Sequence, residues 1–348
     1  MAPASKEAYG IQELYKPVSS EPEVDIVAVH GLNGGARSTW TSKTTNVCWL
    51  DHPDFLPRYL QSARVLVWGY NASFSSLMGD EICRDRIHHH AHTLIANLSA
   101  NRRLSGMTNK PIIFLCHSLG GIVVKRALSY SHTRTGSKVS HEYDIFSSTY
   151  GILFFGTPHA GSEKANWLAY LKNISLSTHS NLVSALEKES ETLQNITDYF
   201  VPLMKNFSIF FFWEQRMTKL KVGLKDYIVS RESAAPLYDD TERAGIEADH
   251  SGMVKFDKPS SQAFQMVIDA LLRYCAEAPA VISRNRAYAA EFLNRERNRQ
   301  ALEVLHSMPD SPLGTFMTSE AWDLRGRAMI EGFGATQFPG ASKGRERG

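Results

Sequence analysis

The chain has 348 residues, of which 43% are hydrophobic and 21% charged, which argues against wholesale disorder and leaves room for one large domain with an appendage, or two smaller domains. Its 38 basic and 36 acidic residues give a formal charge of +2, without the basic excess typical of a nucleic-acid-binding protein. The four cysteines contain no CxxC pair, which argues against a disulfide scaffold and a cysteine-rich zinc site. No apolar run approaches the roughly 20 residues of a membrane helix, which argues against a membrane span.

Short apolar runs recur along the chain, and each ends at a glycine or a polar residue. Residues 1–23 are polar and contain several prolines and serines, so we expect a flexible arm there. Six runs then predict buried strands, at residues 24–29, 64–68, 111–115, 151–155, 207–213 and 226–229. Helical periodicity occurs at residues 82–98, 121–130 and 262–276. Near-continuous apolar strands alternating with helices predict an α/β fold, with a mostly parallel sheet covered by helices on both faces.

The same pattern divides the chain into parts. We expect one α/β domain over residues 24–276 and a helical, partly disordered tail over residues 277–348. Within the domain, residues 162–206 separate two strands that a single helix could connect. Apolar positions such as Trp167 and Phe200 recur in this insertion, which predicts a helical cap that supplies an apolar wall for a substrate. The alternative is that these helices are extra scaffold packed away from the site.

A serine stands at the junction of a predicted strand and a predicted helix, in the segment Cys116-His-Ser-Leu-Gly-Gly121. Small residues two places before and after it allow a sharp turn that lifts the Ser118 hydroxyl above the sheet, as in a nucleophile elbow. Cys116 occupies the first glycine position of the G-x-S-x-G pattern, and a small apolar cysteine can still meet the steric requirement. Ser118 is therefore interpreted as a nucleophile rather than as an ordinary N-capping serine.

A glycine-rich loop, His30-Gly-Leu-Asn-Gly-Gly35, follows the strand at residues 24–29. In a sheet of this kind, an oxyanion is stabilised by the backbone N–H after the nucleophile and by an N–H of this loop. The candidate donors are the N–H groups of Leu119 and Leu32. His30 is interpreted as a buried, hydrogen-bonded structural histidine.

A serine hydroxyl needs a base, which is usually a histidine. The chain order serine, acid, histidine places that base after the last strand, where His250 and His306 occur. His250 comes just before the helix at residues 262–276 and is favoured over His306, which lies in the tail. His159 follows the wrong strand and is expected to shape the wall of the pocket.

The acid that orients the histidine should end the second strand after the nucleophile. That strand is the run at residues 207–213, and the residue directly after it is Glu214. Asp239 and Asp240, in the loop before His250, are alternatives.

Four segments in this order resemble the lipase-like α/β-hydrolases called the DUF676 family. They are His30-Gly-Leu-Asn-Gly34, Cys116-His-Ser-Leu-Gly-Gly-Ile-Val-Val-Lys125, Phe154-Phe-Gly-Thr-Pro-His-Ala-Gly161 and Asp249-His250. They are similar to GPI inositol-deacylases, to serine active-site-containing proteins linked to phosphatidylglycerol remodelling, and to the hydrolase-like domain at the N-terminus of fungal NACHT-type receptor proteins. The resemblance covers about residues 24–275. It implies an α/β-hydrolase fold, ester hydrolysis by serine without a metal, and peripheral contact with a membrane as an option.

Two functions from different classes follow. The first is a serine esterase that cleaves lipid-like carboxylic esters through an acyl-enzyme, with Ser118, His250 and Glu214 as its triad. The second is a signalling or interaction module of a fungal immune-receptor-like system that retains a hydrolase fold. The complete set of nucleophile, base and acid favours the enzyme. We expect no cofactor and no metal, because His88 and His92 are interpreted as part of a solvated helix face. The expected location is cytoplasmic, with the surface of mitochondria or the endoplasmic reticulum as the alternative.

Overall fold

A seven-stranded sheet organises the computed structural model, which describes residues 9–18, 20–72, 83–159, 194–219 and 225–307. Its spatial order is β1-β3-β2-β4-β5-β6-β9, with β1 antiparallel to β3 and all other neighbours parallel. Two further short strands pair as a separate hairpin, β7 with β8. In chain order the strands are β1 (Gly10–Tyr15), β2 (Val24–Val29), β3 (Ala63–Gly69), β4 (Ile112–His117), β5 (Thr149–Phe155), β6 (Ser208–Glu214), β7 (Thr218–Lys219), β8 (Lys225–Asp226) and β9 (Thr241–Ile246).

Helices connect the strands and cover the sheet. They are α1 (Leu56–Tyr59), α2 (Cys83–Leu104), α3 (Leu119–His132), α4 (Ser140–Ser148), α5 (Arg231–Ala234) and α6 (Gln262–Ser307). Residues 194–200 are also helical and lead into a 3-10 turn, Val201–Asn206. None of the helices in the described ranges has the length and hydropathy needed to traverse a bilayer.

The two faces of the sheet pack against different sets of helices. On β2, Ile26 and Ala28 belong to one buried cluster, together with Phe264, Val267 and Leu271 of α6. Alternate residues of the same strand point to a second cluster, which the apolar faces of α2, α3 and α4 complete. Burial on both faces explains why the central strands are apolar throughout. The predicted α/β-hydrolase fold, a mostly parallel sheet with helices on both faces, is confirmed.

Both edges of the sheet differ from the sequence expectation. Residues 10–15, expected within a flexible arm, form the edge strand β1, which pairs with β3 from Gly10 opposite Gly69. The predicted strand at residues 226–229 is wrong, since only Lys225–Asp226 is extended and it belongs to the small hairpin. The other edge is instead β9, with the half-exposed sequence TERAGI. Edge strands are held by backbone pairing on one side and need no apolar run. Neither edge strand therefore has the pattern from which the sequence predicts a strand.

The C-terminal helix does not break at residue 276. It continues through Pro279, and both Ala278 and Ile282 are buried in the core, so the domain extends beyond the predicted boundary. The first compact unit ends at Leu293. A second unit begins at residue 294, and its described part is the end of α6. The remaining tail, from residue 308, lies outside the described residues, as does most of the predicted cap, residues 160–193.

A buried ionic cluster lies where the strands begin, at the opposite end of the sheet from the loops that follow them. Asp25 of β2 accepts two hydrogen bonds from the Arg64 guanidinium, at 2.7 and 3.1 Å, and a further one from Arg102 of α2. All three side chains are buried. A buried guanidinium needs an opposite charge beside it, so the Asp25 carboxylate is what makes the burial of both arginines tolerable.

Candidate active site

Ser118 occupies the sharp turn between β4 and α3, with backbone angles φ 54° and ψ −123° that non-glycine residues rarely adopt. Neighbouring groups hold the turn in place. The N–H of Ser118 donates to the carbonyl of Phe155 at 2.9 Å, and the hydroxyl of Thr157 donates to the carbonyl of Ser118 at 3.1 Å. Strained residues persist only where the surrounding structure enforces them, and they cluster at functional sites.

Close backbone contacts explain the small residues around this turn. A Cβ on Gly120 would lie 2.5 Å from two carbonyl oxygens at the end of β2, so α3 can approach that strand only with glycine there. A Cβ on Gly31 would lie 2.7 Å from the Ser118 Cβ, which brings the glycine-rich loop directly against the serine. Cys116, in place of the first motif glycine, lies within β4 and is fully buried in the apolar core, so its side chain fits without disturbing the turn.

His250 reaches the serine from the turn that follows β9. Its Nε2 lies 3.0 Å from the Ser118 Oγ, a hydrogen-bond distance, and the imidazole is buried. The ring rests against Gly156, whose φ of +56° and missing side chain keep the space open, since a Cβ there would lie 3.0 Å from the ring. The backbone carbonyl of His250 accepts a hydrogen bond from His117 Nε2 at 2.9 Å. The imidazole therefore has a fixed place beside the hydroxyl.

Glu214, the last residue of β6, lies on the other side of the imidazole. Its Oε2 is 3.1 Å from His250 Nδ1, and both side chains are buried. The second oxygen, Oε1, accepts the backbone N–H groups of Ile228 at 2.5 Å and Val229 at 3.0 Å. Two N–H donors on one oxygen fix the orientation of the carboxylate beside the ring.

The alternative acids lie at the wrong end of the sheet. Asp239 and Asp240 precede β9, whereas His250 follows it. A strand of this length spans roughly 20 Å at about 3.3 Å a residue. The structure thus brings Glu214, and neither aspartate, to the imidazole.

Leu119 and Leu32 lie beside the serine. Leu119 is the first residue of α3, where the backbone N–H has no acceptor within the helix and the helix dipole is positive. Leu32 follows Gly31, which lies against the serine, and the two leucine side chains share an apolar cluster with Ile87, Ile122 and Ile196. Both residues therefore adjoin the serine turn, and their role as oxyanion donors stays a prediction.

Two other histidines near the site are neutral structural residues. Burial lowers the pKa of His30 to about 4, and its Nε2 accepts the N–H of Tyr70, on whose ring it stacks. Burial, with the nearby His250, holds the pKa of His117 well below its ordinary value. The expectation for His30 is confirmed. His159 is buried against Phe154 and Phe211, so it belongs to the packing below the site.

Taken together, these groups suit nucleophilic chemistry. An imidazole between a hydroxyl and a fixed carboxylate can accept the hydroxyl proton and share the resulting positive charge with the carboxylate. Within the described ranges, no three His, Cys, Asp or Glu side chains converge as metal ligands would.

The chain is similar to proteins named SERAC1. The Homo sapiens protein is 26% identical over 236 residues, which cover 62% of this chain and 34% of that protein. The Danio rerio protein is 24% identical over 273 residues, covering 72% and 39%. The chain therefore spans about a third of the length of these curated relatives. No protein-family model matches it, so the resemblance to the DUF676 family and to the fungal receptor domain stays a prediction.

The solved structures that match the chain include esterases. The esterase RhEst1 from Rhodococcus sp. ECU1013 has a TM-score of 0.43 and 14% identity, covering 77% of this chain and 94% of that one. A thermostable carboxyl esterase from Bacillus coagulans has a TM-score of 0.38 and 10% identity, covering 78% and 100%. Identities this low say nothing of activity.

Three contributors to the site were not identified from the sequence. Ile228 and Val229 act through backbone N–H groups, which leave no mark on residue type. Their apolar run was instead interpreted as a strand. His117 sits inside the quoted motif, but its bond to the His250 carbonyl depends on a segment 133 residues away.

Proposed function

We propose that this chain is a serine esterase that hydrolyses lipid-like carboxylic esters through an acyl-enzyme intermediate. The observation that carries the proposal is the 3.0 Å contact between Ser118 Oγ and His250 Nε2, made by a serine held at positive φ. Glu214, at 3.1 Å from the other ring nitrogen, completes the set.

In the first half of the proposed reaction, Ser118 Oγ attacks the carbonyl carbon of the ester while His250 Nε2 takes the hydroxyl proton. The carbonyl electron pair moves onto oxygen, and the N–H groups of Leu119 and Leu32 stabilise that oxyanion. The intermediate then collapses, the bond to the alcohol breaks, and the imidazolium gives its proton to the leaving alkoxide oxygen.

In the second half, water replaces the alcohol. His250 takes a proton from the water as the oxygen attacks the acyl carbon. The collapse of this second intermediate returns the proton to Ser118 and releases the carboxylic acid, which ionises in solution. Throughout, Glu214 keeps Nδ1 protonated, because its Oε1 is already occupied by two backbone donors and only Oε2 faces the ring.

The apolar surroundings support a lipid-like acyl group. Leu119 and Leu32, which supply the proposed oxyanion donors, turn their side chains into an apolar cluster with Ile87, Ile122 and Ile196. In the proposed complex, the acyl chain would extend from the reacting carbon and pass beside this cluster. The strained serine also favours an enzyme over an interaction module, because a scaffold that turns over no substrate has no need of strain at that residue.

Covalent labelling tests the proposal. We expect a fluorophosphonate to label the full chain at Ser118 and the protein to hydrolyse p-nitrophenyl esters. Ser118→Ala should lose both properties while its thermal unfolding transition stays close to that of the wild type. A folded wild-type protein that takes no label, or a Ser118→Ala variant that is labelled as before, would overturn the assignment.

A further inference from the structure

A buried lysine lies on the helix that carries the proposed nucleophile, and the proposed reaction does not use it. Lys125 of α3 is 0% exposed. Its Nζ donates to the Thr197 hydroxyl at 2.8 Å and contacts His159 Nδ1 at 3.3 Å. Burial of an ammonium is strongly unfavourable unless it is hydrogen-bonded, so a lysine at this position calls for a reason.

Lys125 joins three separate segments. The first is α3 itself, the second is the loop after β5 that carries His159, and the third is the helix at residues 194–200 that carries Thr197. The loop after β5 also supplies Thr157, which holds the turn of Ser118. Two of these segments, α3 and the loop after β5, therefore border the turn of Ser118.

The residue next to Thr197 belongs to the same apolar cluster as Leu119, which directly follows the proposed nucleophile. Ile196 is buried in the cluster with Leu119, Ile122 and Ile87, and Leu32 packs against the same cluster. Ile122 and Lys125 are three residues apart on α3, so they share one face of that helix. The helix at residues 194–200 thus meets this face through two adjacent side chains, one apolar and one polar.

We propose that Lys125 is a positioning residue, whose buried ammonium holds the 194–200 helix so that Ile196 forms part of the wall that receives the acyl chain. The proposal rests on the proposed esterase function. It adds that the contact between Lys125 and Thr197 affects how the acyl chain of the substrate is bound. We expect an acetyl group to end short of this cluster and an octanoyl chain to lie along it. Lys125 should therefore affect octanoyl esters and leave acetyl esters nearly unchanged.

The side chain of Lys125 should change between its charged and neutral forms near neutral pH. Burial lowers the pKa of its ammonium to about 7. The groups that face it are His159 from the loop after β5, Asp198 from the 194–200 helix and Cys116 from β4. Burial holds the pKa of His159 well below its ordinary value and that of Cys116 well above, so both are neutral, and Asp198 supplies the negative charge that favours the ammonium.

The sign of the pH effect follows from this lowered pKa. The ammonium is fully present below about pH 7 and is lost as the pH rises through that value. A neutral amine still contacts Thr197 but no longer carries the charge-assisted bond. The ratio of kcat/KM for p-nitrophenyl octanoate to that for p-nitrophenyl acetate should fall as the pH rises from 6 to 8.5. Any pH effect on the steps that the two esters share cancels in the ratio.

Matched variants test the contact. Lys125→Met removes the charge at similar length, and Thr197→Val removes the acceptor at similar shape. Thr197→Ser keeps the hydroxyl and serves as the rescue. Ser129→Ala is the control, because it removes a hydroxyl one turn along α3 that donates to the Lys125 carbonyl and not to the Lys125 ammonium. Lys125→Met and Thr197→Val should lower the octanoate-to-acetate ratio at pH 6 about tenfold, the low end of what one displaced apolar group does to specificity.

Hydrogen–deuterium exchange gives a readout that does not depend on activity. At one fixed pH, amides of residues 194–200 should exchange faster in Lys125→Met and Thr197→Val than in the wild type, Thr197→Ser and Ser129→Ala. The pH dependence of the ester ratio should disappear in Lys125→Met.

Three results would overturn the proposal. They are wild-type exchange in both Lys125→Met and Thr197→Val, faster exchange with an unchanged ester ratio, or an equal loss of both ester activities. Failure of the esterase function is recognised separately, as a wild-type protein that takes no fluorophosphonate and hydrolyses neither ester. In that case, the exchange measurement still decides whether Lys125 holds the helix.

Discussion

Glu214→Gln changes the hydrogen-bonding pattern of the acid while keeping its shape. The new amide oxygen can take the place of Oε1 and accept the N–H groups of Ile228 and Val229. Its NH2 group then faces His250 Nδ1. The opposite orientation would set the NH2 group against two backbone donors, so the first is favoured. A donor facing Nδ1 selects the tautomer that carries its proton on Nε2, and this tautomer cannot accept the proton of Ser118.

The size of the effect follows from the burial of the pair. The corresponding acid-to-amide change in a well-studied serine protease lowers turnover about 10⁴-fold. At 1.36 kcal/mol for each factor of ten, this is about 5.4 kcal/mol of barrier. Glu214 and His250 are both buried, so water has little room to replace the lost carboxylate. We therefore expect kcat to fall about 10³- to 10⁴-fold.

Steady-state hydrolysis of p-nitrophenyl acetate measures this loss, with thermal unfolding as the test of integrity. Asp239→Asn is the matched control, since it makes the same chemical change at the far end of β9. It should keep wild-type activity. Near-wild-type turnover in Glu214→Gln, together with collapse of activity in Asp239→Asn, would refute the assignment of the acid.

Three further predictions concern the scaffold. Asp25→Ala leaves the buried Arg64 and Arg102 without their carboxylate, so chemical denaturation should show a loss of about 3–5 kcal/mol in the free energy of unfolding; a loss below 1 kcal/mol would contradict the account of this cluster. Cys116→Gly should keep esterase activity and lose about 2 kcal/mol of stability, because the loss of a buried side chain adds to the effect of glycine in a regular element. Gly120→Ala should instead abolish activity, because its Cβ would meet carbonyl oxygens at 2.5 Å, and equal activities of these last two variants would be the contrary result.

The centre of the fold could be predicted from the sequence because each of its elements has a recognisable pattern within a short, continuous segment. A buried strand, a serine between small residues and a helix follow one another within about 25 residues, and each has its own pattern. Glu214 was found by counting strands. The count survived the error at residues 226–229, because the run that ends at Glu214 comes before it.

The edges of the sheet and the supports of the site could not be predicted, for two physical reasons. β1 and β9 are held by backbone pairing with one neighbour, which demands no particular side chains. The partners of Glu214 and Lys125 come from distant segments, and nothing in the sequence near Lys125 indicates a bond to Thr197, 72 residues later. A sequence pattern indicates which side chains of a segment are buried, but it says much less about which other segments cover them.

The placement of His250 after an edge strand has a consequence for the order in which the site is assembled. The serine turn joins two consecutive elements, whereas His250 lies 132 residues further along the chain. Pairings over such separations form late, and a chain that emerges from the ribosome folds its N-terminal parts first. A growing chain would therefore hold its serine for some time without a base, and would be inert toward cellular esters until β9 has docked. Recovery of esterase activity on refolding should accordingly lag behind recovery of helical circular dichroism, which makes turnover a measure of the last step of folding.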